Sequence, residues 1–439
     1  MTFSLAPKNV DRDNFLNLAL EGYKHCLVIG DKYDVRVVQS YKFVPLVYQI
    51  ASRMGSSKDG GGPHNFQFAL VSLVKKMAVD HPYHTIFQVP VVTASFPVDR
   101  NCKYRDGSFP YFKGLADSVM IMNGINAPKV VECLGSDGRK YRQLAKSGND
   151  DLRQDAVMEQ FFGLVNTFLQ NNRDTWKRRL GVRTYKVIPF TPSAGVLEWV
   201  NGTLPLGEYL IASTRNGGAH GRPVMHHFFL ERFLQPADWF EKRLAYTRSV
   251  AASSMVGYIV GLGDRHSMNI LIDQTTAQVV HIDLGVAFEQ GLMLKTPERV
   301  PFRLTRDIID GMGVTGVEGV FRRCCEETLA VMRTNKEALL TIVEVFIHDP
   351  LYKWALSPLK ALQRQKEMDD DLDTCLDDSQ DEYEGNKDAA RALMRVKQKL
   401  DGYEEGELRS VHGQVQQLIQ DAIDPERLCQ MFAGWGAWM

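Results

Sequence analysis

The sequence predicts an α+β protein of two lobes, a β-rich one followed by a helical one, with further helices on either side. Three observations carry this. Residues 1 to about 88 repeat apolar side chains at three-and-four spacing, from Val89 the texture changes to short Val-rich or alternating runs, and beyond Leu206 long helical patterns take over. At 439 residues and 44% hydrophobic content, the chain is long enough for two or three domains with a sizeable core.

The elements follow in order. "NFLNLALEGYKHCLVIG", "VRVVQSYKFVPLVYQIASRM" and "NFQFALVSLVKKMAV" read as amphipathic helices, the last two separated by Gly60 to Gly62 and Pro63. "VPVVTASFPV", "DSVMIM", "KVVECL" and "RKYRQLAK" read as antiparallel strands punctuated by "RDGS", "NGINAP" and "SDG". "DLRQDAVMEQFFGLVNTFLQ" is a helix with Asp150 or Asp151 placed to cap it, and "RTYKVIPF" and "GVLEWV" are two more strands. After the lobe junction near "LEWV", helices are expected over "PVMHHFFLERFL", "PADWFEKRLAYTRSVAASSMVGYIVGL", "VEGVFRRCCEETLAVMR" and "KEALLTIVEVFI". Residues 367–384 hold ten acidic residues in eighteen with no Lys or Arg, which predicts a self-repelling mobile insert. The end of the chain reads as a helix followed by an aromatic tail whose Trp435 and Trp438 suit docking rather than fraying.

Composition narrows the function. Lys plus Arg (52) nearly balance Asp plus Glu (53), so no overall field favours nucleic acid or a membrane surface, and an anionic ligand needs a local site. The seven cysteines include no CxxC and no zinc spacing, which predicts free thiols in a reducing compartment. No apolar run reaches the roughly 18 residues of a membrane span, and Met1 to Val10 lacks a signal-peptide pattern, so a soluble intracellular protein is expected.

The chemistry concentrates in "GLGDRHSMNILID" and "VVHIDLG". Asp264 and Asn269 stand five apart, as do Asp and Asn in the HRDxxxxN loop of protein kinases, where the Asp orients the substrate hydroxyl and the Asn binds a metal ion on the phosphates. "NILID" and "VVHI" are expected to form a hairpin through "QTTAQ", delivering Asp283 at its end, where a carboxylate suits Mg2+. His266, two residues after the Asp instead of two before it, is placed to donate to a transferring phosphoryl group. Lys146, on the strand "RQLAK", supplies a cation for phosphates, and Asp155 and Glu159 share a face of the next helix from which to pin it. GxxxxGK[ST] does not occur and no GxGxxG lies among the expected strands of the β-rich lobe, which leaves the turn "IMNGINAPK", with Gly124, as the segment for covering phosphates. Each of these features taken singly is equally what a capping residue, a surface lysine or an ordinary Asn-Gly turn would give.

On "GDRHSMN", "HIDLG", "KSGNDDLRQD" and the run "HIDLGVAFEQGLMLKTPERVPFRLTRDIIDGMGVTGVEGVFRRCCEETL", the chain resembles the phosphatidylinositol-3-kinase-related protein kinases over nearly its whole length. The resemblance implies the end of a FAT helical domain at 1–88, a kinase domain at 89–355 (β-rich lobe 89–200, helical lobe 201–355), an acidic regulatory insert at 356–406 and a FATC segment at 407–439. It also implies that Lys146 contacts ATP phosphates with Asp155 as partner, and that Trp199 and Val200 form the adenine hinge above Leu271 and Ile282. Asp264 and His266 would be catalytic, and Asn269 and Asp283 would bind Mg2+ or Mn2+. Protein substrates with Ser-Gln or Thr-Gln sites, Ser379 of "DDSQDE" among them, a DNA-break sensor complex, a homodimer and a nuclear location are implied by the same resemblance. No nucleic-acid motif and no nuclear-import cluster is read from the residues themselves.

Two departures from the family stand out: "HPYHTIFQ" runs straight into "VPVVTA" near Gln88, and "GGAHG" straight into "RPVMHHFF" near Gly221, where relatives carry additional helices. Two other readings stand beside the protein kinase, the first on the shared "GDRH" and "DLG" motifs and the second on these departures. One is a phosphoinositide kinase, whose activation segment normally carries a basic cluster where "GVAFEQGLMLKTPERVPF" offers Lys295 and Arg299; the other is a shortened scaffold without turnover.

Overall fold

The computed structural model describes residues 39–44, 47, 66–81, 101, 103, 110–122, 127–148, 151–191, 194–215, 223–347 and 378–436. The helix expected at residues 14–30, the strand "VPVVTASFPV", Gly124, both family departures, the acidic residues 367–377 and Trp438 lie outside them. The chain divides into two units, one formed by residues up to Ala156 with Tyr185–Asn201, the other by Val157–Thr184 with Gly202 onward.

The first unit is built on an antiparallel sheet. Helix α1 (Phe66–Asp80) precedes it, and strands β1 (Phe112–Ile121), β2 (Lys129–Gly135), β3 (Lys140–Ser147), β4 (Val187–Thr191) and β5 (Ala194–Glu198) lie in the order β1-β2-β3-β5-β4. The "SDG" turn between β2 and β3 forms for local reasons: Gly138 takes the left-handed φ of +77°, and Asp137 Oδ1 accepts the Arg139 N–H at 3.0 Å. β4 and β5 approach so closely at Gly195 that a Cβ there would sit 2.4 Å from the Ile188 carbonyl oxygen. Helix α2 (Leu152–Asn171) starts in this unit, where Asp151 caps it by accepting the Arg153 N–H at 3.0 Å, and continues into the second.

The second unit is mainly helical. After α2 come α3 (Arg173–Lys177), β6 (Thr203–Pro205), α4 (Leu206–Arg215), α5 (Met225–Arg232) and α6 (Pro236–Ile259). From Tyr246 onward α6, "YTRSVAASSMVGYI", is apolar or small apart from Arg248, so the rest of it is buried and Ala251, Ala252, Met255, Val256 and Ile259 lie in the core. β7 (Ile270–Asp273) and β8 (Val279–His281) complete a three-stranded sheet in the order β6-β7-β8. Helices α7 (Arg306–Met312), α8 (Val320–Thr334) and α9 (Lys336–Ile347) follow, with Phe321, Leu329 and Met332 of α8 and Leu339 and Val343 of α9 in the same core.

Helix α10 (Asp378–Asp401) takes in the last residues of the acidic block, the rest of which lies outside the described residues. Its later turns, beyond the acidic block, place Ala392, Val396 and Leu400 at helical spacing in the core. A short hairpin of β9 (Tyr403–Glu404) and β10 (Glu407–Leu408) leads to α11 (Val411–Ile423), capped by Ser410, and α12 (Pro425–Cys429), capped by Asp424. Trp435 is buried against Met431, Val300 and Leu428, as its aromatic character suggested. Among the described residues no helix is long and apolar enough to cross a membrane, and Cys133, Cys324, Cys325 and Cys429 are free thiols.

Candidate active site

Local hairpin geometry brings the acidic set together in the second unit. β7 and β8 pair Ile270 with His281 and Leu271 with Val280, and the Ile282 N–H donates to the Asn269 carbonyl at 3.0 Å. This register sets Asn269 beside Ile282 and one residue from Asp283. The Asn269 side chain donates from Nδ2 to the Asp264 carbonyl at 3.0 Å, closing the five-residue loop, and its Oδ1 makes no hydrogen bond among the described residues. Asp264 and Asp283 both take left-handed backbone conformations, φ +53° and +56°, which cost energy in residues with a Cβ and recur at functional sites. One carboxylate and one amide oxygen make too few donors for a closed metal site; they suit a Mg2+ ion that keeps water and phosphate as its other ligands.

What holds Asp264 in that conformation was not legible in the motif. Both carboxylate oxygens of Glu298 accept the Asp264 N–H at 2.9 Å. Gly263 provides the room, because a Cβ there would sit 2.7 Å from Glu298 Oε2. Arg265 is buried and bonded to backbone: it donates to the Gly263 carbonyl at 2.8 Å, to the Ile282 carbonyl at 2.7 Å, and to the Asp283 carbonyl. It staples the catalytic-loop motif to the "HIDLG" motif. Arg303 does the same from the other side, donating to the Arg265 carbonyl at 3.1 Å and to the tail carbonyls of Trp435 at 2.6 Å and Gly436 at 2.7 Å, with its guanidinium 4.0 Å from the Trp435 ring centre. Burial lowers the Arg303 pKa to about 9, so it stays charged at neutral pH.

Protonation of His266 follows from its surroundings. Burial lowers its pKa, while the nearby Asp264 charge works the other way. Its Nδ1 accepts the Met268 N–H at 3.2 Å, which fixes the neutral tautomer with Nε2–H as donor. His281, in "HIDLG", is pushed down by burial to about 3 and is neutral as well.

The other expected site residues fall as follows. Leu271 is buried on β7 and Ile282 half-buried just beyond β8, both in the second unit. In the first unit Lys146 is half-buried on β3 opposite Gly195, Asp155 is fully buried in the first turn of α2, and Trp199 and Val200 follow β5, Trp199 donating its N–H to the Arg142 carbonyl at 3.2 Å. Lys186 escaped the sequence reading: burial lowers its pKa against the pull of Glu198, whose Oε2 accepts the Lys186 N–H at 3.0 Å. Its only signal was a cation inside an apolar strand pattern. Among the described residues no group of three or more His, Cys, Asp or Glu is gathered to hold a metal.

Comparison with known proteins shows what the chain as a whole is similar to. A family model described as phosphatidylinositol 3- and 4-kinase matches residues 143–356, and one described as the FATC domain matches 409–439. The chain is 63% identical to the serine/threonine-protein kinase ATM of Arabidopsis thaliana over 98% of its own length and 15% of that protein. It is 39% identical to the serine-protein kinase ATM of Sus scrofa over 98% of the chain and 20% of the relative, and 44% identical to the serine/threonine-protein kinase tel1 of Schizosaccharomyces pombe over 78% and 14%. The solved structure of the FAT and kinase domain of CtTel1 superposes with a TM-score of 0.77 at 34% identity, covering 98% of this chain and 38% of that one. The chain thus spans roughly a sixth of the Arabidopsis protein's length. The stretch matched there is 576 residues long, 137 more than the 439 of the whole chain, so relatives carry segments that this chain lacks.

Proposed function

The chain belongs to the phosphatidylinositol-3-kinase-related protein kinases of the ATM and Tel1 type, and on that premise we propose that it transfers phosphate from ATP to Ser or Thr followed by Gln. The observation that carries the reading is the Asp264–Asn269–Asp283 set in the loops flanking the β7–β8 hairpin, with the Asp264 N–H and carbonyl both bonded. The Asp264 carboxylate accepts the proton of the attacking hydroxyl as its oxygen bonds to phosphorus and the bond to the leaving phosphate oxygen breaks. Bound ATP and its Mg2+ or Mn2+ supply the phosphoryl group and neutralise its charge. Asn269 Oδ1 and Asp283 hold the cation, and His266 donates from Nε2–H toward the developing charge. By the family resemblance Lys146 and Asp155 are assigned to phosphate, Gly124 to its cover, and Trp199, Val200, Leu271 and Ile282 each to adenine.

The same reading assigns 1–88 to a FAT segment, 89–355 to the kinase, 356–406 to a regulatory insert and 407–439 to FATC. It extends to a nuclear role in the response to DNA breaks, checkpoint signalling and telomere maintenance, a break-sensor partner, and phosphorylation of Ser379, which stands in the first turn of α10. CtTel1 has been solved as a dimer with C2 symmetry, and homodimer formation is proposed for this chain by that likeness. Arg299, one of the two cations available for lipid phosphate, donates instead to Gln430 of the tail at 2.9 Å, which favours a protein substrate over phosphoinositide.

The 137-residue excess in the matched relative favours one second reading, a scaffold that binds partners without turnover. A single assay decides. The chain is incubated with labelled ATP, Mg2+, a Ser-Gln peptide and phosphatidylinositol vesicles, beside Asp283→Ala. The expected result is label in the peptide from wild type alone, and Mg2+-dependent ATP binding lost in the variant. Label in lipid alone overturns the protein-kinase reading, and no turnover with equal ATP binding by both proteins establishes the scaffold.

A further inference from the structure

Glu298 follows Asp264 by 34 residues, in the segment after "DLG", yet both of its oxygens lie 2.9 Å from the Asp264 nitrogen. The backbone is opened on two sides to seat this carboxylate. At Gly263 and at Gly291 alike, a Cβ would come within 2.7 Å of Glu298 Oε2, and the Gly291 carbonyl accepts the Glu298 N–H at 3.0 Å. The charge is costly where it lies: burial raises the Glu298 pKa and the Asp264 carboxylate adds to that, with Arg265 and Arg303 opposing. A neutral side chain of the same shape would avoid the cost, so folding alone does not account for an acid at this position.

We propose that Glu298 is a positioning residue that holds the Asp264 peptide in its left-handed conformation and so aims the Asp264 side chain at the substrate hydroxyl. A charge-assisted bond to the N–H on one side and the Asn269 amide on the carbonyl leave that peptide no free end. The inference rests on Asp264 being the proton acceptor, and its test separates the two claims.

The full chain is prepared as wild type, Glu298→Gln and Glu298→Ala, and read in three ways: peptide phosphorylation, melting temperature at pH 7.5, and hydrogen exchange of a peptide spanning Gly261–Ile270. Alanine is expected to lower kcat about 100-fold with the KM for ATP within twofold, as displacement of a catalytic group by about 1 Å does. Glutamine keeps one acceptor oxygen and is expected to recover about tenfold of that loss, melting no lower than wild type. Exchange in the loop rises for alanine and less for glutamine. Wild-type kcat with unchanged loop exchange in both variants overturns the proposal, as does a loss of activity in glutamine matched by a lower melting temperature. If wild type itself transfers no phosphate, the kinase reading fails, and loop exchange alone then upholds or overturns the grip of Glu298 on Asp264.

Discussion

At the scale of single residues, the site depends on backbone conformations that only specific neighbours make tolerable. Asp264 and Asp283 at φ +53° and +56° would each relax if their partners were lost, at a cost of about 1 to 3 kcal/mol stored in the native loop. His266 illustrates what such a loop does electrostatically. Because burial lowers its pKa and Met268 N–H occupies Nδ1, the neutral Nε2–H donor persists to lower pH than a free imidazole with pKa about 6.5 would allow. The kcat profile is therefore expected to show no loss from His266 protonation between pH 8 and about 6.5, and an acid limb at or above that pH that disappears in His266→Asn would contradict it. His266→Ala is expected to lower kcat about 100-fold, the usual cost of one donor to developing charge, with ATP affinity little changed in equilibrium titration. The motif spacing singled out candidate residues, but Arg265 shows its limit: nothing in the spacing gave this arginine a role, and its three backbone acceptors make it a staple.

At the scale of elements, helices and strands came largely from periodicity. α2, α6 and α8 form where three-and-four spacing placed them, and β1 to β5 where short alternating runs lie between turn residues. α10 is the instructive exception, since charge density masked the apolar stripe of its later turns. Its buried Lys399 donates to the Tyr258 carbonyl at 2.6 Å and pairs with Glu289, tying this helix to the segment just after "DLG". The Tyr258 hydroxyl in turn bonds Glu404, and Gln414 Nε2 donates to that hydroxyl at 3.0 Å. Removing one member of such a buried pair is strongly destabilising, whereas removing both is much less so. Lys399→Met is expected to cost about 3 kcal/mol in urea unfolding, and adding Glu289→Gln to recover a substantial part; strict additivity of the two losses would show that the pair does not act as one.

At the scale of the whole molecule, the last residues of the chain matter to its catalytic loop. Arg303 donates to the carbonyls of Arg265, Trp435 and Gly436, so deletion of Met431–Met439 takes two acceptors from a buried guanidinium. That truncation is expected to lower stability by about 2 to 4 kcal/mol and kcat by roughly tenfold, measured by urea unfolding and peptide phosphorylation. An unchanged kcat would show that the tail serves folding alone. The sequence by itself determined most of the long helices, the strands β2 to β5 and the spacing of Asp264, Asn269 and Asp283, because periodicity and a hairpin register are fixed by residues near one another in the chain. Only the tertiary structure decided what holds that set in place: Glu298 lies 34 residues from Asp264, Lys399 lies 110 from Glu289, and Trp435 lies 132 from Arg303. Contacts over such separations form when distant segments pack into one core, and they leave no period or spacing in the sequence from which they could be read.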